Sequence, residues 1–274
     1  MGLRPRKQFA QHWLKSDRAL NQIIQAAEIT KCDRILEIGP GTGVLTRRLL
    51  PLAQAVVAVE IDQNLCQSLA QQLGQSENFL LLQGDILALD LPTHLAAFPS
   101  FQKLNKVVAN IPYNITGPIL EKLLGTIANP VTKPFDLIVL LVQKEVAERL
   151  YAKPGSKAFG ALSVRVQYLA ECELICPVPA SSFYPPPKVD SAVVRLRPRP
   201  MEPAALEPRC LEKLVKQGFA AKRKMLRNNL RGIVEREQLN HLLEQLEVNP
   251  QVRAEDLSLT QWVSLSNRLC VPTP

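Results

Sequence analysis

Five short, nearly uninterrupted apolar runs constrain this chain most: residues 34–38, 55–59, 79–82, 106–109 and 135–142. Most are rich in β-branched residues or leucine, and none shows the strict apolar–polar alternation of a strand with one wet face. Strands of that kind are buried on both faces, as in a parallel sheet covered by helices. Between them, residues 44–52, 63–73, 117–124 and 144–151 carry helical patterns and supply the crossovers. The alternation predicts the α/β class with a doubly wound, Rossmann-like sheet. Two further strands, 174–177 and 191–196, are expected on either side of the proline-rich stretch 177–187.

After the last run the composition changes. Arg197-Pro198-Arg199-Pro200-Met201-Glu202-Pro203 reads as a linker. Beyond it Leu211, Leu214, Val215 and Phe219 share one helical face, as do Leu239, Leu242, Leu243 and Leu246, and then Trp262, Leu265 and Leu269. The expected division is a domain over 1–197 and a small all-α domain of about four helices over 198–274.

The first run ends in Glu37-Ile38 and passes into Gly39-Pro40-Gly41-Thr42-Gly43, with a helical pattern directly after it. Glycines at Gly39, Gly41 and Gly43 let backbone approach a ligand closely. The next run ends at Glu60, placed to accept hydrogen bonds from a ribose diol, and the third leads to Asp85, placed to receive a cofactor's adenine amino group. One such carboxylate is usually a surface charge or a helix cap. Acids at successive strand ends form a lining that suits cationic S-adenosylmethionine better than a pyrophosphate, with NAD as the second reading.

The fourth run leads into Asn110-Ile111-Pro112-Tyr113. A loop that only needed a cap and a stiff turn explains Asn110 and Pro112, but not the aromatic at Tyr113. The Asn110 amide oxygen and the Ile111 carbonyl can accept from an exocyclic amino group, and the Tyr113 ring can stack on a planar base. That chemistry points to methylation of an adenine amino group and by itself serves DNA, RNA or a small molecule. Phe183, in Phe183-Tyr184-Pro185-Pro186-Pro187, is expected to face the opposite side of the base.

Charge bears on the partner. The chain has 33 Lys plus Arg against 25 Asp plus Glu, a net charge of +8 that favours a polyanion. Between Glu212 and Glu235 the basic residues Lys213, Lys216, Lys222, Arg223, Lys224, Arg227 and Arg231 occur with no acid among them. Arg4, Arg6 and Lys7 either add to this surface or form a free tail. The six cysteines lack metal-site spacing, so reduced, mostly buried thiols are expected, with no zinc and no disulfide. With no signal peptide and no apolar run long enough to span a bilayer, a cytoplasmic protein without membrane or metal partners is expected.

Together, the segments 37–43, 59–62, 84–85, 110–114 and 183–191 resemble the ribosomal RNA adenine dimethyltransferase family, as does 218–230. The resemblance runs over nearly the whole chain. It implies a class I S-adenosylmethionine-dependent methyltransferase sheet and dimethylation of N6 of two adjacent adenines near the 3′ end of 16S rRNA. The implied partner is 16S rRNA within the immature small ribosomal subunit, bound through Lys222, Arg223, Lys224, Arg227 and Arg231, and a monomer is expected. It also implies that His12 and Leu14 close over the methionine end of the cofactor and that Asn110 touches it. Here the chain departs from the family's usual Phe-Gly-Gln-Asn-Phe-Leu, reading Phe9-Ala10-Gln11-His12-Trp13-Leu14. Two alternatives stand beside this reading: the same chemistry on large-subunit rRNA, or a chiefly non-catalytic ribosome-assembly factor.

Overall fold

The computed structural model describes residues 5, 6, 9 and 11–270. Arg4, Lys7 and Ala10 therefore lie outside the described residues. The strands are β1 (Trp13–Leu14), β2 (Arg34–Ile38), β3 (Ala55–Glu60), β4 (Phe79–Gln83), β5 (Lys106–Asn110), β6 (Leu137–Gln143), β7 (Ala170–Val178), β8 (Phe183–Tyr184) and β9 (Ser191–Pro198). The helices are α1 (Asp17–Ala26), α2 (Thr46–Leu49), α3 (Gln63–Leu73), α4 (Leu91–Leu95), α5 (Thr116–Leu124), α6 (Lys144–Tyr151), α7 (Ala161–Leu169), α8 (Pro208–Gly218), α9 (Leu226–Asn229), α10 (Arg236–Gln245) and α11 (Leu259–Cys270).

Seven strands form one sheet in the order β4-β3-β2-β5-β6-β9-β7. The five from β4 to β6 run parallel, and β9 is antiparallel to β6 with Leu140 opposite Val194. The sheet is thus mixed, not wholly parallel. Every residue of β3 is buried, and so are the first six of β6, which is why these segments read as unbroken apolar runs. On α3 the buried residues are Leu65, Cys66, Leu69 and Leu73, one stripe of a helix whose N-terminus is capped by Asp62 accepting from the Asn64 N–H at 2.9 Å.

Strand succession reverses between β2 and β5. In an open α/β sheet this switch point is where the carboxyl ends of neighbouring strands diverge and leave a crevice. The amino ends are clamped. Lys106, at the start of β5, reaches Asp33 at 2.9 Å and donates to the Ala27 carbonyl at 3.1 Å and to that of Glu28, at the end of α1. Asn105 bridges Asp33 and Asp136 at 2.8 and 3.0 Å. Burial alone would raise the Asp33 carboxyl, but hydrogen bonds from Asn105, Lys106 and Thr30 outweigh it and hold the group below the ordinary aspartate value.

The chain divides into two compact units, one of residues 1–123, 133–147 and 173–198, the other of 124–132, 148–172 and 199–274. The second therefore takes in segments 124–132 and 148–172, upstream of residue 198. Its core is built on Leu211, Leu214 and Val215 of α8 and on Trp262, Val263 and Leu265 of α11, all buried. The Phe219 ring lies 5.8 Å from Trp262 and 6.3 Å from Phe159. Four α-helices follow residue 198 among the described residues; α8, α10 and α11 carry the three apolar faces, and α9 lies on none of them.

The cysteines depart from expectation. Cys210 on α8 and Cys270 at the end of α11 have Cα atoms 6.4 Å apart and are joined as a disulfide. Sixty residues of separation left no spacing signal, and the pairing arises where these two helices run together. Of the remaining four, only Cys66 is buried and Cys32 is exposed.

Candidate active site

A crevice with a cavity volume of about 110 Å³ opens at the switch point. Its floor is the glycine loop: Gly39 and Gly41 have φ of +67° and +59°, and Gly43 has +78°. A side chain on Gly41 would meet the Trp13 indole at 3.3 Å, so the loop must be bare where β1 crosses it. Gly43 does not line the crevice; it faces Leu69 and shapes the turn into α2.

Three carboxylates line the crevice in different states. Glu60 is buried, and its oxygens accept from the Gly41 N–H at 3.2 Å and the Asp62 N–H at 3.0 Å, tying the acid to the glycine loop. Burial raises its carboxyl above the ordinary glutamate value although those bonds oppose it. Asp85 is exposed, with one oxygen accepting from the Leu87 N–H at 2.9 Å. Glu37 is 1% exposed, and its Oε2 has no hydrogen-bond partner among the described residues. Burial pushes the Glu37 carboxyl up to about 8; the Thr46 hydroxyl pulls the other way and the nearby Glu60 adds to the rise. Glu60 and Asp85 suit a ligand with hydroxyl and amino donors and disfavour a pyrophosphate, while Glu37, with its carboxyl at about 8, adds a polar oxygen but no negative charge at neutral pH.

Asn110 to Tyr113 form the wall at the end of β5. The Asn110 Nδ2 donates to the His12 carbonyl at 3.2 Å, so the Oδ1 is the atom left to accept from a substrate. The Tyr113 hydroxyl shares a 2.6 Å hydrogen bond with the Ser191 hydroxyl, which fixes the ring. Burial raises the Tyr113 hydroxyl above its usual value, against the Ser191 bond, so the ring is neutral at physiological pH. The His12 ring lies nearly parallel to Tyr113, at 20° and 5.8 Å between centroids. His12 Nδ1 is 2.7 Å from the Pro185 carbonyl, and because a carbonyl only accepts, Nδ1 carries the proton.

The structure thus brings His12, Leu14, Gly39, Gly41, Glu60, Asp85, Asn110, Ile111, Pro112 and Tyr113 to one crevice. Phe183 is the exception. It is 1% exposed, sits in the hydrophobic core and pairs with Leu14 across the β1–β8 ladder, so its ring is not offered to a ligand. That two-residue ladder is too short for a pattern in sequence. Ile61 and Ile86 also line the crevice, Ile61 being 46% exposed, and the available signal was an isoleucine directly after each strand-end acid. Gln11 adds a bond from Nε2 to Asp62 at 3.0 Å.

Of the basic residues, Lys222, Arg223, Lys224 and Arg231 are exposed and Arg227 is half-buried. Residues 222–224 form a turn, not a helix face; it is braced by Asn229, whose Nδ2 donates to the Gly218 carbonyl and to that of Ala221 at 3.0 Å. Arg6 pairs at 3.4 Å with the buried Asp62, the N-cap of α3, so it is engaged within the fold. Among the described residues no group of three or more His, Cys, Asp and Glu is placed to hold a metal, and no helix is long and apolar enough to cross a membrane.

This strand order, with a glycine loop and strand-end acids at the switch point, defines a class I S-adenosylmethionine-dependent methyltransferase. Residues 2–270 match the family described as ribosomal RNA adenine dimethylase, and the chain belongs to that family. It is 74% identical over 275 residues to the ribosomal RNA small subunit methyltransferase A of Nostoc punctiforme, covering 98% of this chain and 96% of that one. The protein of that name from Trichormus variabilis is 71% identical over 269 residues, covering 98% and 99%. Among solved structures, a dimethyladenosine transferase from Plasmodium falciparum superposes with a TM-score of 0.76 at 31% identity, covering 93% of this chain and 96% of that one. The 23S rRNA methyltransferase ErmE gives 0.74 at 27% identity, covering 94% and 99%.

Proposed function

We propose that the protein dimethylates N6 of two adjacent adenines near the 3′ end of 16S rRNA, within the immature small ribosomal subunit. The observation that carries this reading is the wall at Asn110–Tyr113, with its free amide oxygen and anchored aromatic ring facing an acid-lined cofactor crevice. The small-subunit target is supported by relatives at 71–74% identity whose names specify that subunit, against 27% for the 23S enzyme. The protein acts as a monomer in the cytoplasm, with the helical region 198–274 holding RNA through Lys222, Arg223, Lys224, Arg227 and Arg231.

S-adenosylmethionine supplies a methyl group activated by its positively charged sulfur. Glu60 and Asp85 would hold the ribose diol and adenine of this donor, the backbone at Gly39 and Gly41 would approach it closely, and His12 and Leu14 would close over its methionine end. The target adenine amino group donates to Asn110 Oδ1 and the Ile111 carbonyl, while the base rests on Tyr113. Those acceptors favour a nitrogen becoming tetrahedral and positively charged, and positioning supplies much of the remaining acceleration. The proton released after transfer goes to water, since an N-alkylated amino cation of adenine is a strong acid. Phe183 supports β1 from the neighbouring strand β8, where it is paired with Leu14.

Labelled methyl transfer to unmethylated small subunits, run beside large subunits, tests the assignment. Label is expected in small-subunit RNA, and label confined to large-subunit RNA would overturn it.

A further inference from the structure

A second cleft adjoins the crevice, and Trp13, Leu14, Thr42 and Val44 line both. Its walls combine two aromatics with a concentration of positive charge. Trp13 and Tyr184 are directly opposite in the β1–β8 ladder, with ring centroids 6.5 Å apart at 40°. Tyr184 is 59% exposed, while its neighbour Phe183 is 1% exposed. The β8 segment therefore presents to solvent the aromatic that the crevice does not use.

Lys15, Arg47 and Arg48 line the same cleft with one acid, Asp17. Both arginines are held in place, Arg47 by the Thr42 carbonyl at 3.0 Å and by Gln72, Arg48 by Asn21 at 2.6 Å and by Asp17. With three cations and one anion the cleft has a net charge of +2. A solvated salt-bridge patch needs no exposed aromatic, and an apolar docking groove needs no cations. An aromatic platform bordered by fixed cations is the arrangement that receives a single-stranded nucleotide, base on the ring and phosphate on the charges.

We infer that this cleft is a subsite for the RNA nucleotide adjacent to the target adenine, whose base lies against Tyr184 and whose phosphate lies near Lys15 and Arg47. The inference rests on the crevice being the site of adenine methylation. Because the two cavities share a wall, a strand whose adenine is extruded into the crevice continues directly into the cleft. A nucleotide held there makes extrusion of its neighbour easier and gives the enzyme a reason to require RNA rather than free adenosine.

The test uses full-length protein, saturating S-adenosylmethionine and unmethylated small subunits, with steady-state methyl transfer as the readout and calorimetric S-adenosylmethionine binding as the control. Tyr184→Ala is expected to raise KM for the subunit about 5- to 150-fold, the range for losing one base–aromatic stack. Tyr184→Phe is expected to restore it, and cofactor affinity is expected to be unchanged in both. Lys15→Glu, at an exposed position, provides a second variant if the first melts early, and it too is expected to raise KM. Unchanged KM in Tyr184→Ala and Lys15→Glu, in protein that otherwise transfers methyl normally, would overturn the subsite. Failure of the unaltered protein to methylate any RNA would instead overturn the reading on which the subsite rests.

Discussion

Replacing Asn110 with alanine is expected to lower kcat for methyl transfer by about 10²- to 10³-fold, the range seen when one preorganised polar group facing a charge-developing atom is removed. The geometry makes the effect specific. Asn110 Nδ2 is committed to the His12 carbonyl, so the Oδ1 orientation is fixed before substrate arrives. Alanine removes both the acceptor and the tie to His12. The Glu60 and Asp85 contacts proposed for the cofactor are untouched, so calorimetric binding of S-adenosylmethionine is expected to weaken far less than kcat falls, by the share that Asn110 and its tie to His12 contribute. Single-turnover kinetics with bound RNA separate the two quantities, and a variant with full kcat would remove Asn110 from the chemistry.

Lys106→Met is expected to destabilise the protein by about 3–5 kcal/mol, because it leaves a buried carboxylate without its cation. The Lys106 and Asp33 side chains are only 10% and 8% exposed, and the ammonium also serves two carbonyls at the end of α1. The effect depends on pH in a defined direction. The Asp33 carboxyl is held below its ordinary value of 3.8 in the folded protein, so its contribution is present above that value and is lost as pH falls through the lowered one. The difference between the native protein and the variant should therefore be largest near neutrality and should shrink below pH 3.8. Urea titrations at several pH values measure it, and a constant difference down to acid would show that the ion pair is not its source.

Much of this architecture was legible in the sequence because burial on both faces leaves an unbroken apolar run. The apolar run 34–38 and the helical pattern 63–73 coincide with β2 and α3 to the residue. Helix 44–52 proved shorter, since only Thr46–Leu49 is helical and turns flank it. α1, α7 and the β1–β8 ladder lie outside the expected elements, and two residues per strand in that ladder carry no periodicity. The crevice was legible for a related reason: a glycine, an acid or Asn110 stands close after each of the first four apolar runs, and parallel strands bring their ends to one edge. The Phe183 expectation failed because residue type alone cannot say which of two adjacent aromatics a strand turns inward. The Cys210–Cys270 pairing was invisible because it depends on helix packing across sixty residues.

The central claim is that Asn110 and Tyr113 present an adenine N6 to the methyl donor, twice, on neighbouring bases. Mass spectrometry of nucleosides and RNA fragments after reaction with unmethylated small subunits tests this most directly. The expected product is N6,N6-dimethyladenine at two adjacent positions near the 3′ end of 16S rRNA. Methyl groups on a ribose, on a ring nitrogen or on another base would contradict it.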